Sequence, residues 1–227
     1  MTARLAAARD FDSLKVIWKE CFFLDDSYLT LVEKLILPSS DVWILEDGNE
    51  ILSTFTLVPL EHLSKDGTVL SGAYLAAVAT PQEKRGRGYF HKLFNLVLGK
   101  TAFDFILVRP ASEALGEIYR KEGFTIPVNN PLCDSFDIPT SDASVKTTAE
   151  ELQEILKSSA PSFIWGKNIL EFAIGESESN PKTRSQLEYL LSGRREISKK
   201  PFAFMKSLKK GISASIFEKS LFIITLE

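Results

Sequence analysis

The feature that most restricts the fold of this chain is a run of three strand-like segments separated by short turns. Residues 41–46 and 51–60 are rich in apolar and β-branched side chains, and Asp47-Gly48-Asn49 between them is typical of a tight hairpin turn. Asp66-Gly67 supplies a second turn signal before the apolar segment 69–79. Consecutive strands joined by tight turns pair antiparallel, so this region predicts an antiparallel meander.

Helical patterns lie on both sides of the meander. A short strand at 2–8 precedes a helix with N-cap side chains at 10–13 and an apolar face formed by Leu14, Ile17, Trp18 and Cys21. Apolar residues at helical spacing predict a second helix over 26–37, with Pro38 as its stop. After the meander, the pattern predicts a helix at 89–98, a strand at 103–108 and a helix at 111–120. This order is typical of a mixed α/β fold.

The C-terminal part of the chain has its own folded pattern. Turn-forming residues between 127 and 144, around a short strand at 134–138, predict a connecting segment at 128–144 between domains at 1–127 and 145–227. Beyond the connection we expect a smaller α/β region. Its predicted helices are 149–157, 167–174 and 186–191, and its predicted strands are 201–205 and 220–226. Its helix-helix-strand order echoes the N-terminus, which suggests a degenerate half-repeat.

Composition excludes several classes of protein. Hydrophobic residues make up 44% and charged residues 25%, values typical of soluble globular chains. The net charge of −3 gives no general affinity for a nucleic-acid backbone. No apolar run approaches the roughly 20 residues of a bilayer span, and the N-terminus lacks the apolar stretch of a secretory signal, so we expect a cytoplasmic protein. With only Cys21, Cys133, His62 and His91 available, we expect neither a zinc site nor a disulfide framework.

The most informative segment is the glycine-bearing turn between the third strand and the 89–98 helix. Gly86 and Gly88 allow a sharp turn with no side chain in the way, so that backbone N–H groups and the helix N-terminus can converge on an anion. Basic residues surround this turn, and only Glu83 opposes them; they are Lys84, Arg85, Arg87, His91 and Lys92. A polyphosphate ligand fits this pattern, and a structural glycine turn with a solvated basic rim is the alternative.

Two other phosphate-binding loops do not match. A P-loop needs the pattern GxxxxGK[ST], which is absent from the sequence. A dinucleotide fingerprint needs a third glycine three residues after the second, where this chain has His91.

The segment around the glycine turn resembles the GNAT superfamily of acyl-CoA N-acyltransferases. Its signature Gln/Arg-x-x-Gly-x-Gly/Ala is matched by Arg85-Gly86-Arg87-Gly88-Tyr89-Phe90, with Phe90 in place of the final Gly/Ala. The family's later Tyr-x-x-x-Gly-Phe pattern is matched by residues 119–124. The resemblance covers residues 2–124 and implies a mixed, mostly antiparallel central sheet flanked by helices.

The resemblance also implies an activity: transfer of an acyl group, usually acetyl, from acyl-CoA to a primary amine. Acetyl-CoA is then the co-substrate, with no metal. Its binding residues are Val78, Ala79, Arg85, Gly86, Arg87, Gly88 and Tyr89. The N–H of Val78 or Ala79 would meet the developing oxyanion, and Tyr119 would protonate the departing thiolate.

A general base and an acceptor complete the expected site. Glu61 is our first candidate for deprotonating the amine, with His62 beside it and the terminal carboxylate of Glu227 as further alternatives. The expected acceptor is a small-molecule or peptide amine. We expect no nucleic-acid or membrane partner, and we expect the protein to be a monomer or a homodimer. A non-catalytic acyl-CoA-binding regulatory module is the alternative function.

Overall fold

The computed structural model describes residues 1–131, 145–193, 197–217 and 220. The backbone separates into two units. The first contains Met1–Val58 and Tyr74–Ala102, and the second contains Pro59–Ala73 and the described residues from Phe103 onward. Two long strands cross this division, so each contributes to both units.

The first unit contains the predicted meander and the helices around it. Its elements in chain order are β1 (Thr2–Leu5), α1 (Phe11–Phe22), α2 (Asp26–Leu31), β2 (Asp41–Asp47), β3 (Glu50–Leu63), β4 (Val69–Ala79) and α3 (Tyr89–Leu98). Antiparallel pairing joins β1 to β2 and β2 to β3, which places Trp43 opposite Leu5 on one side and Phe55 on the other. The chain after α2 continues as a π-helical turn at Val32–Ile36, so the predicted 26–37 helix is α-helical only in its first half.

Helix α1 docks on this sheet through its apolar face. Leu14, Ile17 and Trp18 are buried and pack in one cluster with Val42 and Ile44 of β2. Burial of one such aliphatic or aromatic side chain stabilises the fold by about 1.5–3 kcal/mol. The packing therefore fixes the axis of α1. It also fixes the positions of Glu20 and Cys21 on the last turn of α1, which contact residues 80–85 before the glycines.

Asp10, one of the predicted N-cap residues, has a different role. Its carboxylate accepts two hydrogen bonds from the Arg4 guanidinium, at 2.7 and 3.0 Å, and one from the N–H of Ala7 at 2.7 Å. The Arg4 bonds hold the pKa of Asp10 down at about 2. Asp10 thus closes the turn before α1 and ties it to β1, and it makes no side-chain cap on α1 itself.

The second unit combines the remaining elements with the ends of β3 and β4. They are β5 (Phe105–Val108), α4 (Glu113–Lys121), β6 (Ile126–Pro131), α5 (Ala149–Ser158), β7 (Ser162–Trp165), α6 (Lys167–Glu176), α7 (Pro181–Leu191) and β8 (Ile197–Ser207). The strand order is β4-β5-β8-β6, and β7 pairs with the last residues of β3. Strand β8 runs antiparallel to both neighbours, so Met205 lies opposite Leu107 on β5 and Ile126 on β6. Antiparallel strands flanked by helices confirm the predicted α/β class.

Several elements differ from the sequence expectations. Strands β6 and β7 were not predicted, and β6 occupies residues assigned to the start of the connecting segment. The last predicted helix begins five residues early, because the Asn180 side chain accepts from the N–H groups of Lys182 and Thr183, with Pro181 in the first turn. The predicted strand at 134–138 and residues 221–226 of the last predicted strand lie outside the described residues.

The predicted regions 1–127 and 145–227 stay a prediction, and the two units group the elements of the backbone by their contacts. Strand β5, helix α4 and strand β6 belong to the same unit as the C-terminal helices, because β8 inserts between β5 and β6. Within the described residues, no helix has the length and apolar character needed to cross a bilayer. The same residues contain no group of three histidine, cysteine or acidic side chains placed to hold a metal ion.

Candidate functional site

The glycine-bearing turn has the backbone geometry that its sequence predicts. Gly86 and Gly88 have φ angles of +77° and +73°, in the left-handed region that L side chains rarely adopt. Between them and β4 lies a single 3₁₀ turn, Gln82–Lys84. Helix α3 begins immediately after Gly88, which occupies the N-cap position. Two left-handed residues therefore turn the chain sharply from the strand end into the helix.

The space beside both glycines is open. A Cβ atom added at Gly86 or Gly88 would have no heavy atom of the described residues within 4 Å. Gly88 has no side chain with which to cap α3, and the first turn of the helix contains no acidic residue. An uncapped helix N-terminus has exposed N–H groups and a partial positive charge, so this surface suits an anion.

Three of the basic residues around the turn, Lys84, Arg85 and Arg87, divide into two groups. Lys84 forms an internal ion pair: its ammonium lies 2.7 Å from the Glu50 carboxylate, and its side chain is only 13% exposed. Arg85 and Arg87 are exposed, and their guanidinium groups donate to the carbonyl oxygens of Thr80 at 3.0 Å and Glu83 at 3.2 Å. Neither arginine forms an ion pair within the described part of the chain. Their positive charge thus remains available beside the open turn.

Phe90 packs inward. Its ring stacks on Phe94 at 5.6 Å between centroids and meets Phe55 of β3 edge-on at 6.4 Å. The larger side chain at this signature position is therefore accommodated within an aromatic cluster of the first unit. Offset and edge-to-face aromatic pairs stabilise such a cluster beyond their buried area.

Val78 and Ala79 lie at an irregular end of β4. Ala77 before them has a φ of +48°, and a left-handed residue inside a strand interrupts the regular pairing and redirects the groups that follow. Ala79 is buried, and its carbonyl oxygen accepts a hydrogen bond from Ser53 of β3 at 3.2 Å. Val78 is half-buried. The structure thus brings the predicted co-substrate residues from Val78 to Tyr89 together in the first unit.

Tyr119 belongs to the second unit, on the last turn of α4. Its side chain is 6% exposed, and burial raises the pKa of its phenol to about 12. Its ring meets Phe124 edge-on at 5.8 Å. The phenol is therefore protonated throughout the neutral range.

The Tyr-x-x-x-Gly-Phe pattern has a clear structural cause. The N–H of Phe124 donates to the carbonyl oxygen of Tyr119 at 3.1 Å, and the N–H of Gly123 donates to that of Arg120 at 3.0 Å. Gly123 has a φ of +91°, which completes a Schellman motif at the end of α4. The contact between the Tyr119 and Phe124 rings is the apolar contact that accompanies this motif. The pattern thus fixes the orientation of Tyr119.

The two candidate bases at the end of β3 differ sharply in exposure. Glu61 is exposed and lies opposite Ile164 of β7, and its carboxylate has no ion-pair or hydrogen-bond partner among the described residues. His62 is fully buried between the rings of Phe163 and Phe217, and its Nε2 lies 2.8 Å from the hydroxyl of Ser220. His62 is therefore a core residue. Glu227 lies outside the described residues.

The buried His62 predicts a pH-dependent stability. Burial lowers the pKa of His62 to about 4 from an ordinary 6.5, so the unfolded chain binds one more proton between these values. The stabilising contribution is present above pH 6.5 and is lost as the pH falls towards 4. We expect the free energy of unfolding to decrease by about 3 kcal/mol across this window because of His62 alone. Urea titrations at several pH values measure it.

The other histidine provides the control. His91 is exposed on α3, so His91→Gln should keep the pH dependence of the wild type, whereas His62→Gln should remove the His62 contribution to the slope. Equal slopes for wild type and His62→Gln would contradict the assignment.

Comparison with known proteins decides the family. A family model described as an acetyltransferase (GNAT) domain matches residues 2–126, more than half of the chain. The chain belongs to the GNAT acetyltransferase family. The matched region ends next to the boundary predicted at residue 127. A search of curated proteins by sequence found no match.

Solved structures share this GNAT fold at low sequence identity. A GCN5-related N-acetyltransferase from Anabaena variabilis has a TM-score of 0.58 at 18% identity, over 76% of this chain and 47% of its own. The corresponding values for a GCN5-related N-acetyltransferase from Kribbella flavida are 0.57, 13%, 91% and 72%. For Eis1 from Mycobacterium abscessus they are 0.59, 10%, 80% and 49%. The chain thus spans about half the length of the Anabaena and Mycobacterium proteins.

The GNAT family is one of acetyl-CoA-dependent transferases, and the open turn of this chain fits a CoA diphosphate. Among the described residues, two left-handed glycines, an uncapped helix N-terminus and two arginines without an ion-pair partner supply donors and positive potential, and no side chain fills the space beside the glycines. Glu20 and Ser53, which hold the segment before this turn, were not among the predicted residues. No local pattern marks them, because each is more than 25 residues away from its partner.

Proposed function

We propose that this chain transfers an acetyl group from acetyl-CoA to a primary amine. The observation that carries this proposal is the open Gly86–Gly88 turn at the N-terminus of α3, in a chain of the GNAT family. In the proposed reaction the amine nitrogen attacks the thioester carbonyl carbon. The C–N bond forms, the C–S bond breaks, one proton leaves the amine, and one proton reaches the sulfur of CoA.

Tyr119 is the proposed donor of the proton to sulfur. The Schellman motif supports this role because it holds the helix turn that carries Tyr119 in place. With a pKa of about 12 the phenol carries its proton at neutral pH, as a general acid must. The backbone N–H of Val78 or Ala79 is the proposed donor to the carbonyl oxygen as negative charge develops there. The positive φ of Ala77, inside β4 directly before these two residues, supports this assignment.

Glu61 is the proposed general base, and its removal tests that role. Glu61→Gln keeps the shape of the side chain and loses the proton acceptor, so we expect kcat to fall by roughly 100-fold with the Kd for acetyl-CoA unchanged. Steady-state kinetics and calorimetry measure the two quantities. Asp41→Asn, at another exposed strand carboxylate, is the control and should retain full activity. A Glu61→Gln variant with wild-type kcat would assign the base elsewhere.

The proposed reaction as a whole is tested with acetyl-CoA and a panel of amines. The panel contains small polyamines, amino acids, aminoglycosides and peptides with free N-termini or lysines. We expect acetyl-CoA to bind, and at least one amine to cause release of free CoA thiol with a gain of one acetyl group in its mass. Binding without turnover of any amine would favour the alternative function, an acyl-CoA-binding regulatory module. A folded protein that does not bind acetyl-CoA would contradict both.

A further inference from the structure

The segment that leads into the glycine turn is held by a carboxylate from a distant helix. Glu20 lies on the last turn of α1, and its Oε1 accepts a hydrogen bond from the backbone N–H of Gln82 at 2.8 Å. Gln82 is the first residue of the 3₁₀ turn that precedes Gly86. Glu20 therefore caps that turn from 62 residues away in sequence.

The neighbouring residue of α1 holds the same segment at a second point. The thiol of Cys21 donates to the carbonyl oxygen of Thr80 at 3.6 Å, and its sulfur accepts from the Arg85 guanidinium at 3.5 Å. Arg85 also donates to the Thr80 carbonyl oxygen at 3.0 Å. The end of α1 thus contacts both ends of the segment from Thr80 to Arg85.

Strand β3 supplies a third point of attachment. The hydroxyl of Ser53 lies 3.0 Å from that of Thr80. Because α1 is docked on the sheet through Leu14, Ile17 and Trp18, these contacts attach the segment to the buried core of the first unit. The glycines that follow have no side chains, so the segment before them determines where their N–H groups point.

We propose that Glu20 is a positioning residue for the CoA-binding turn; this inference rests on the proposed function. A carboxylate near a site for phosphates would repel the ligand if it served only as a charge. Here the carboxylate is used as an acceptor for the Gln82 N–H, and hydrogen bonds with an ionised partner are the stronger kind. Glu20 thereby holds Gly86 and Gly88 in the geometry that an anion needs, without touching the ligand.

The experiment compares Glu20→Ala with Glu20→Gln in the full chain. Glu20→Ala removes the acceptor, so we expect the KM and Kd for acetyl-CoA to rise five- to tenfold with kcat unchanged within twofold. Glu20→Gln keeps an acceptor oxygen and should lie within twofold of the wild type. Asp12→Ala removes an equal charge from the exposed face of the same helix and serves as the control, with the wild-type Kd expected.

A second measurement tests the hydrogen bond between Glu20 and the Gln82 N–H in the absence of ligand. Hydrogen exchange at the Gln82 amide of the ligand-free protein should be five- to tenfold faster in Glu20→Ala than in the wild type, and close to the wild type in Glu20→Gln. The exchange of α1 amides in the core of the helix should stay unchanged, which excludes general unfolding.

The outcomes separate this inference from the proposed function. If the wild type binds acetyl-CoA and Glu20→Ala binds it equally well, the positioning role is wrong and the proposed function stands. If Glu20→Ala and Glu20→Gln both bind acetyl-CoA more tightly, Glu20 acts as a repelling charge and the inference is overturned. If the wild type does not bind acetyl-CoA, the proposed function and the ligand part of this inference both fail. If Gln82 exchange is the same in Glu20→Ala and the wild type, the contact between Glu20 and Gln82 is contradicted as well.

Discussion

Gly88→Glu should abolish the binding of acetyl-CoA, with an expected rise in Kd of at least 100-fold. Gly88 has a φ of +73°, and a Cβ atom there would project into open space beside the N-terminus of α3. A glutamate side chain would fill the space that the diphosphate needs and would place a negative charge among the donors that should bind it. Calorimetric titration of the purified variant with acetyl-CoA measures this effect.

A matched control separates ligand binding from backbone strain. Gly48, in the β2–β3 hairpin turn, has a φ of +61° and an equally open Cβ position. Gly48→Glu therefore imposes a similar strain, about 1–2 kcal/mol for an L residue in the left-handed region, and should bind acetyl-CoA normally. Gly88→Ala, which adds strain without charge, should have an intermediate Kd. Wild-type affinity in Gly88→Glu would place the diphosphate elsewhere.

The parts of this molecule that could be predicted from the sequence are those fixed by local chemistry. The start of α3 follows from two glycines in front of an apolar helical stripe, and both glycines do adopt left-handed backbone. The meander follows from two turn signals between β-branched segments, since a tight turn places the second strand directly beside the first. The helix that bears Tyr119 ends at Lys121, one residue beyond its predicted end at residue 120, and Gly123 completes the Schellman motif there because glycine tolerates a positive φ.

The remaining features depend on contacts between distant residues. Strand β7 has four residues, of which three are apolar, and is too short for periodicity to distinguish it from a buried helical turn. Its pairing with β3 joins residues about 100 positions apart. The insertion of β8 between β5 and β6 is equally non-local. The availability of a charge is also hard to assign from sequence: Lys84 is one of the basic residues around the turn, yet it pairs with Glu50. A basic residue next to a site is available to a ligand only if it does not already form an ion pair with a carboxylate of the protein.

Tyr119→Phe should lower kcat by 100-fold or more while leaving the Kd for acetyl-CoA within about twofold of the wild type. The substitution removes one oxygen atom and keeps the ring that packs against Phe124, so α4 should retain its Schellman end. Loss of the proton donor leaves the departing thiolate to be protonated by water, which slows the step in which the C–S bond breaks. Single-turnover measurement of free thiol, beside calorimetric binding, separates the two quantities.

The high pKa of Tyr119 adds a second, independent expectation. With a pKa of about 12 the phenol is still protonated at pH 10, where an ordinary tyrosine is half ionised, so kcat of the wild type should not fall through this range on account of Tyr119. Tyr189→Phe deletes the same oxygen from another buried tyrosine of the second unit and should retain wild-type kcat. If Tyr119→Phe and Tyr189→Phe have equal kcat, the hydroxyl of Tyr119 has only a structural role, and the proton that reaches the CoA sulfur must come from another donor, such as bound water.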